Sequence, residues 1–476
     1  MRIKMEAAVA TLALFGSVLA AQTPSEPGAS PGVAVQDISH NGPQFSSAFP
    51  FVTVSPGNDG TVAIGWRLYS LPIDTNAPKT SRTADCHVAL SKDSGQTFKD
   101  TNLMSVLRTV RTETEPELWY CNAPWTAVGP EGTLYAGGAL FTANGVLASE
   151  PKQGRQMVTV SRDGGLTWEK AIPGLTTAKF AQEVIGIAGG REPRDTPWDG
   201  AKGFVDSATG TFYSSAQGYV AASDDRGRSF GTVYRPASSK EWPGRGADFA
   251  AAHGVLGALY FSSASPIKGR KCPCLVFASS NDKGAHFSWT LVADSTEVSP
   301  NGRPRYPQVA ADPAHAGRFA VLAFTADHLG INRDIKVFVT ADAGKTWLSA
   351  IPQPPPKGVL PVTSADMPGL AYTGDGRVLA AWRGFRSAGA YNVFAAMMEN
   401  GKFGPTIKVS PEASPYPPMV QLGNYSLGGG DFTTGIAGDL RYAHVVFPYS
   451  PGGVVQRTWY ARVPLEYLGR LAASAP

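Results

Sequence analysis

Ser161-Arg162-Asp163-Gly164-Gly165-Leu166-Thr167-Trp168 decides the fold of this 476-residue chain, because variants of it return through most of the sequence. Ser91-Lys92-Asp93-Ser94-Gly95-Gln96-Thr97-Phe98 is one copy. Ser223-Asp224-Asp225-Arg226-Gly227-Arg228-Ser229-Phe230 and Thr340-Ala341-Asp342-Ala343-Gly344-Lys345-Thr346-Trp347 are two more. A looser copy starts at Ser280-Asn281-Asp282-Lys283-Gly284 and continues to His286-Phe287. Each reads as a hairpin turn. The aspartate can accept backbone N–H groups of the turn, and the glycine takes the positive φ it needs. The closing aromatic covers the hairpin from the side.

The shared pattern, Ser-x-Asp-x-Gly-x-Thr-Trp, resembles the Asp-box (BNR) repeat of the sialidase superfamily. The resemblance implies a β-propeller in which the boxes are structural and sit away from the active face. It says little about chemistry.

Composition agrees with an all-β fold. Gly 53 and Pro 38 are high, and long apolar helical stripes are missing. The formal charge of +4 on so long a chain implies no nucleic-acid partner.

Residues 1–21 read as a secretory signal: Arg2 and Lys4 form the basic start, Ala7 to Leu19 the apolar core, and Val18-Leu19-Ala20 the cleavage site. The apolar run is too short to span a membrane, so no membrane partner is expected and the mature chain is expected to be secreted or periplasmic. Residues 22–31, rich in Pro, Ser and Gly, read as a flexible lead-in, and residues 32–476 as one propeller domain, expected to be a monomer.

Internal repetition at roughly 57 to 70 residues marks propeller blades. Each unit has a first strand, a turn, an aromatic-rich second strand, a variable loop, a third strand running into the box, and a fourth leaving it. The first strands are expected at 51–54, 125–128, 202–205, 249–252, 308–311, 369–372 and 432–437. The last two units lack a good box. No fourth strand remains for the seventh, whereas Gly32 to Ile38 is unassigned, so the N-terminal segment is expected to complete the last blade and close the ring. The expectation is an all-β, seven-bladed β-propeller, with a six-bladed sialidase-like ring as the alternative.

This layout puts the boxes on one face and the long second-to-third-strand loops, with the connections between blades, on the other. Of the four cysteines, Cys86 and Cys121 fall on that second face in neighbouring blades and are paired, leaving Cys272 and Cys274 as a close couple.

Aligning the first-strand starts sets Asn122, Asp199, Asp248, Arg305, Asp366 and Asp431 around the channel mouth. Converging carboxylates call for a cation, which makes Asp199, Asp248, Asp366 and Asp431 candidate ligands of Ca²⁺; the plainer reading is that each caps its own turn. Arg67, Arg82, Arg245, Arg303, Arg305, Arg333, Arg383 and Arg386 enrich the same face, where guanidinium forks suit the carboxylate of an acidic sugar. Among the seven histidines only His87 and His328 map there, while His253, His286, His315 and His444 map toward the boxes. Tyr69, Tyr120, Tyr306 and Tyr391 are candidate partners or stacking platforms.

A sialidase would carry an Arg-Ile-Pro motif near its first strand, and here Arg67 is followed by Leu68-Tyr69. The chain also looks like the seven-bladed propeller polysaccharide lyases acting on rhamnose–glucuronate glycans, in blade number, secretion and a face with a histidine and several arginines. That resemblance implies an acidic oligo- or polysaccharide substrate cleaved by β-elimination. His87 is then the base, Arg67 and Arg383 neutralise the carboxylate, and Tyr306 assists. Arg82, Arg245, Arg303, Arg305, Arg333, His328 and Tyr120 are expected to bind substrate. A sialidase-type hydrolase and a non-catalytic binding propeller stand as alternatives.

Overall fold

In a computed structural model of the chain, the described residues are 29–42, 44–57, 59–70, 84–107, 119–142, 154–175, 202–216, 218–236, 247–263, 269–299, 308–325, 334–355, 364–385, 390–415, 420–422, 425–427, 434–450 and 455–469. The expected leader, 1–21, lies outside them. Of the expected lead-in, Ser30 is held: its N–H donates to the Lys408 carbonyl, and its hydroxyl accepts the Lys408 N–H.

The described residues form seven antiparallel sheets in chain order, beside one short hairpin. Blade one is Phe45–Val54, Val62–Ser70, Ala84–Ser91 and Lys99–Asn102. Blade two is Trp119–Val128, Leu134–Thr142, Gly154–Ser161 and Ile172–Pro173. Blade three has three strands, Lys202–Val205, Phe212–Ala216 and Tyr219–Ser223. Blade four is Asp248–Ala252, Val255–Ser262, Cys274–Ser280 and Ser288–Ala293. Blade five is built on Gln308–Ala311, Phe319–Thr325, Ile335–Thr340 and Leu348–Ala350. Blade six begins with Ser364–Tyr372, Val378–Phe385 and Ala390–Glu399. Blade seven is Gly435–Gly438, Tyr442–Tyr449 and Arg457–Pro464.

The N-terminal strand Ala34–Asp37 pairs with Trp459–Arg462 and supplies blade seven with its outer strand, as the unassigned stretch predicts. Its Gln36 amide also donates to the Gly95 carbonyl in the first box. The ends of the chain thus close the ring, which leaves neither terminal blade with a free flank.

Side chains alternate across each strand, so each blade presents one apolar set to the blade before it and another to the blade after. In blade six, Val378, Ala380 and Trp382 pack with Leu322 and Val337 of blade five, while Leu379 and Ala381 pack with Ala443 and Val445 of blade seven. The seam between blades seven and one is filled by Trp66, Ile64, Val446 and Tyr460. A ring of seven blades needs seven such seams, and the apolar core divides into them; the six-bladed alternative falls.

Three first strands start earlier than the sequence pattern indicates, at Phe45 rather than 51, Trp119 rather than 125 and Ser364 rather than 369. The prolines in Phe49-Pro50, Ala123-Pro124 and Met367-Pro368 read as strand ends because proline cannot donate to a ladder. Each instead sits in a β-bulge, where the register shifts and the strand resumes beyond it. The residue before each proline is left-handed, with φ of 53° at Phe49, 45° at Ala123 and 45° at Met367.

Candidate functional site

Strand direction separates two faces. The five boxes lie on one of them and behave alike. In blade five, Asp342 Oδ1 accepts the Thr340 hydroxyl at 2.7 Å and the Thr346 N–H at 2.9 Å, and Oδ2 accepts the Thr346 hydroxyl at 2.7 Å. The Thr346 and Thr340 hydroxyls, then the Thr346 N–H, hold this carboxyl down to about 2. In the loose copy His286 replaces the threonine, and its Nδ1 meets Asp282 Oδ2 at 2.6 Å. The box aspartates are fully occupied by their own turns, as structural devices should be.

The same face is tied together near the axis. Asp206 of blade three accepts the N–H groups of His253 and Gly254 from blade four, at 2.9 and 2.6 Å. His253 Nε2 lies 3.1 Å from the Pro313 carbonyl of blade five. The Gly374 N–H of blade six donates to the Asp439 carbonyl of blade seven. These first-to-second-strand turns lock blade to blade.

On the opposite face stand the three proline bulges and a repeated Trp-Arg pair, Trp66-Arg67 in blade one and Trp382-Arg383 in blade six. The register makes the arginines equivalent: Arg67 pairs with Ala48 and Arg383 with Asp366, each the last residue before the bulge. Trp66 faces blade seven and Trp382 faces blade five, so each arginine turns toward the next blade. Both arginines are only 1 % exposed. Arg383 donates Nε to Asp366 Oδ1 at 2.8 Å and a terminal nitrogen to Oδ2 at 3.1 Å. Its guanidinium lies 4.9 Å from the centre of the Tyr391 ring, whose hydroxyl donates to the Pro448 carbonyl. Burial pushes the Tyr391 phenol up, against the pull of the Arg383 charge. The Asp366 pairing shows why an arginine stands here; the guanidinium is occupied rather than presented to solvent.

The expected constellation of His87 with Arg67 and Arg383 is not brought together. His87 is paired with Trp66, and Cys86 with Arg67, so neighbouring positions point to opposite faces of the sheet. His87 stacks on Trp66 with ring centres 5.4 Å apart, toward blade seven. Its Nδ1 sits 3.1 and 3.2 Å from the two oxygens of Asp100. Its Nε2 is buried with no hydrogen-bond partner among the described residues. No sequence motif marks Asp100, which lies on the outer strand 13 residues from His87. On the other side of the sheet, Cys86 and Cys121 are bonded across blades one and two, with Cα atoms 5.5 Å apart, and Cys272 is bonded to Cys274.

Two of the four candidate cation ligands are described, and both carboxylates are already compensated. Asp248 takes the Lys202 ammonium at 3.0 Å and the Val309 N–H at 2.8 Å, joining blades three, four and five. Asp366 takes Arg383. Among the described residues no group of three or more His, Cys, Asp or Glu gathers as metal ligands. Asp248 and Asp366 each have a positive partner within the fold. Asp199, Asp431, Arg82, Arg245, Arg303, Arg305, Arg333, Tyr306 and His328 lie outside the described residues. Tyr120 is described only as a strand position, paired with Phe141.

No family model matches the chain, and no curated protein matches it. Solved structures of similar fold include a Hadza microbial sialidase, at 14% identity and a TM-score of 0.41, covering 89% of this chain and 66% of that one. Trypanosoma rangeli sialidase is similar at 12% identity and 0.41, covering 91% and 60%. A Dyadobacter fermentans protein of unknown function is similar at 14% identity and 0.42, covering 91% and 99%. This chain therefore spans about two thirds or less of the two sialidases. Likeness at this level speaks to neither substrate nor chemistry. Among the described residues no helix is long and apolar enough to cross a membrane.

Proposed function

We propose that this protein is a secreted carbohydrate-active enzyme that binds an acidic, uronate-containing glycan on the face opposite the Asp boxes and cleaves it by β-elimination. What supports this reading is the polarity of the fold. One face is consumed by boxes and interlocked turns. The other carries three left-handed bulges, of the kind that persists where a site over-determines the backbone, and the buried Arg383–Asp366 pair over Tyr391. The sequence between second and third strands and between blades holds Arg82, Arg245, Arg303, Arg305 and Arg333, outside the described residues.

In this mechanism those arginines neutralise the uronate carboxylate and so acidify the proton on C5. His87 Nε2 takes that proton, which requires that this nitrogen, buried in the free chain, be uncovered when substrate binds; the C4–O4 bond breaks as the C4–C5 double bond forms, and Tyr306 protonates the departing oxygen. Arg383 and Asp366 act beneath the site as a rigid floor. The leader and the two disulfides suit an oxidising compartment.

The test is to incubate the mature chain with a panel of uronate and sialate glycans, following near-ultraviolet absorbance and released sugar together. Absorbance rising on a uronate glycan, and abolished in His87→Ala, is the expected result. Sugar release without absorbance replaces the lyase by a hydrolase. Binding without turnover leaves a receptor.

A further inference from the structure

The geometry points to Asp100 as the positioning residue that holds His87 in one tautomer, with the proton on Nδ1 and the lone pair on Nε2. The deduction needs only the donor inventory. An ionised carboxylate accepts and cannot donate, so the ring nitrogen beside it must carry the hydrogen. Asp100 brings both its oxygens to Nδ1, at 3.1 and 3.2 Å. In the neutral ring the other nitrogen is then unprotonated, and Nε2 is buried with no hydrogen-bond partner among the described residues.

The surroundings hold that arrangement. Trp66 stacks on the ring with an interplanar angle of 26°, which fixes the imidazole plane. The ladder between the third and outer strands of blade one sets Asp100 opposite Ala89 and Asn102 opposite His87, so Asp100 lies on the diagonal on His87's own face. Asn102 is spent elsewhere, donating to Asp85 and accepting the Met104 N–H. The histidine side chain is 11% exposed and that of Asp100 48%, so the pair runs from solvent inward and ends on the buried Nε2. A second-sphere carboxylate that fixes which histidine nitrogen reacts is a general device for general bases and metal ligands.

The catalytic consequence rests on the proposed function, but the tautomer does not, and the experiment separates them. The full mature chain is labelled with ¹⁵N-histidine, and the His87 ring signals are identified by their loss in His87→Gln. A protonated Nδ1 and a pyridine-type Nε2 in the wild type, moving to the Nε2-protonated form in Asp100→Ala, is the expected result. A wild-type ring protonated on Nε2, or one unchanged in Asp100→Ala, overturns the inference. On a substrate found with the glycan panel, Asp100→Ala is expected to lower kcat on the order of tenfold or more with KM nearly constant, and Asp100→Glu to recover part of it. An unchanged kcat in Asp100→Ala, where His87→Ala is inactive, overturns the positioning role. Full activity in His87→Ala removes the base from the proposed mechanism while leaving the tautomer result to judge Asp100.

Discussion

Arg383 and Asp366 meet fork to fork across the first two strands of blade six, with side chains 1% and 10% exposed. Guanidinium and carboxylate are matched in shape, and each offsets part of the other's cost of leaving water. Removing one partner takes from the other its buried counter-charge. Arg383→Ala is expected to cost about 3–5 kcal/mol of stability. Asp366→Ala should cost a similar amount, and the double variant should cost clearly less than the sum. Denaturant unfolding of the three variants measures this coupling; simple additivity would mean that the pair does not act as a unit.

His444 gives the seam between blades seven and one a dependence on pH. Its Nε2 meets Asp439 at 3.2 Å and its Nδ1 meets the Tyr460 hydroxyl at 2.7 Å, with Tyr442 beside it and the Arg462 charge acting on it. Burial, opposed by Asp439, holds this histidine below its ordinary 6.5. The unfolded chain therefore binds a proton near that value while the folded chain does not. The contribution is whole above 6.5 and is lost as pH falls below it, until the folded group also titrates. Unfolding midpoints between about pH 7 and 5 should fall in the wild type and fall less in His444→Gln. Equal slopes would remove His444 as the cause.

A second acid-side loss should follow at lower pH. Hydrogen bonds within the turn hold Asp342 at about 2, from an ordinary 3.8. Depressed carboxyls stabilise the fold above the ordinary value and lose that contribution as pH falls through the folded one. Asp342→Asn should flatten the stability curve below about pH 4 and leave the upper window alone.

Gly95 has a φ of +79°, and a Cβ there would collide with the Tyr460 hydroxyl. Gly95→Ala is expected to cost about 2–5 kcal/mol, part from the left-handed backbone and part from overpacking. Gly132, at φ +73° with nothing within 4 Å, isolates the backbone share. Gly132→Ala should cost about 1–2 kcal/mol. Similar losses in both would mean that Tyr460 yields.

The two disulfides should differ in weight. Cys86–Cys121 spans 35 residues and Cys272–Cys274 spans 2. Loop-closure entropy assigns about 4 kcal/mol to the first and about 1.5 kcal/mol to the second. Paired Cys→Ala variants compared by thermal unfolding test that order, and its reversal would put strain or residual structure ahead of entropy.

The sequence by itself determined the propeller. A box closes its own hydrogen bonds within about eight residues, so residue identity suffices there, and the repeat spacing and alternation supplied the blades, the closing N-terminal strand and the Cys86–Cys121 bridge. The strand starts hidden behind Pro50, Pro124 and Pro368 were misread, because a bulge that accommodates proline depends on the partner strand. The site was legible only as residue types. That Arg67 and Arg383 are equivalent, that Asp366 and Asp248 already carry their own cations, and that His87 turns away from Arg67 toward Asp100 were decided by the tertiary structure. The reason is register: side chains alternate with a period of two, so the face a residue serves is set by its pairing with strands far along the chain.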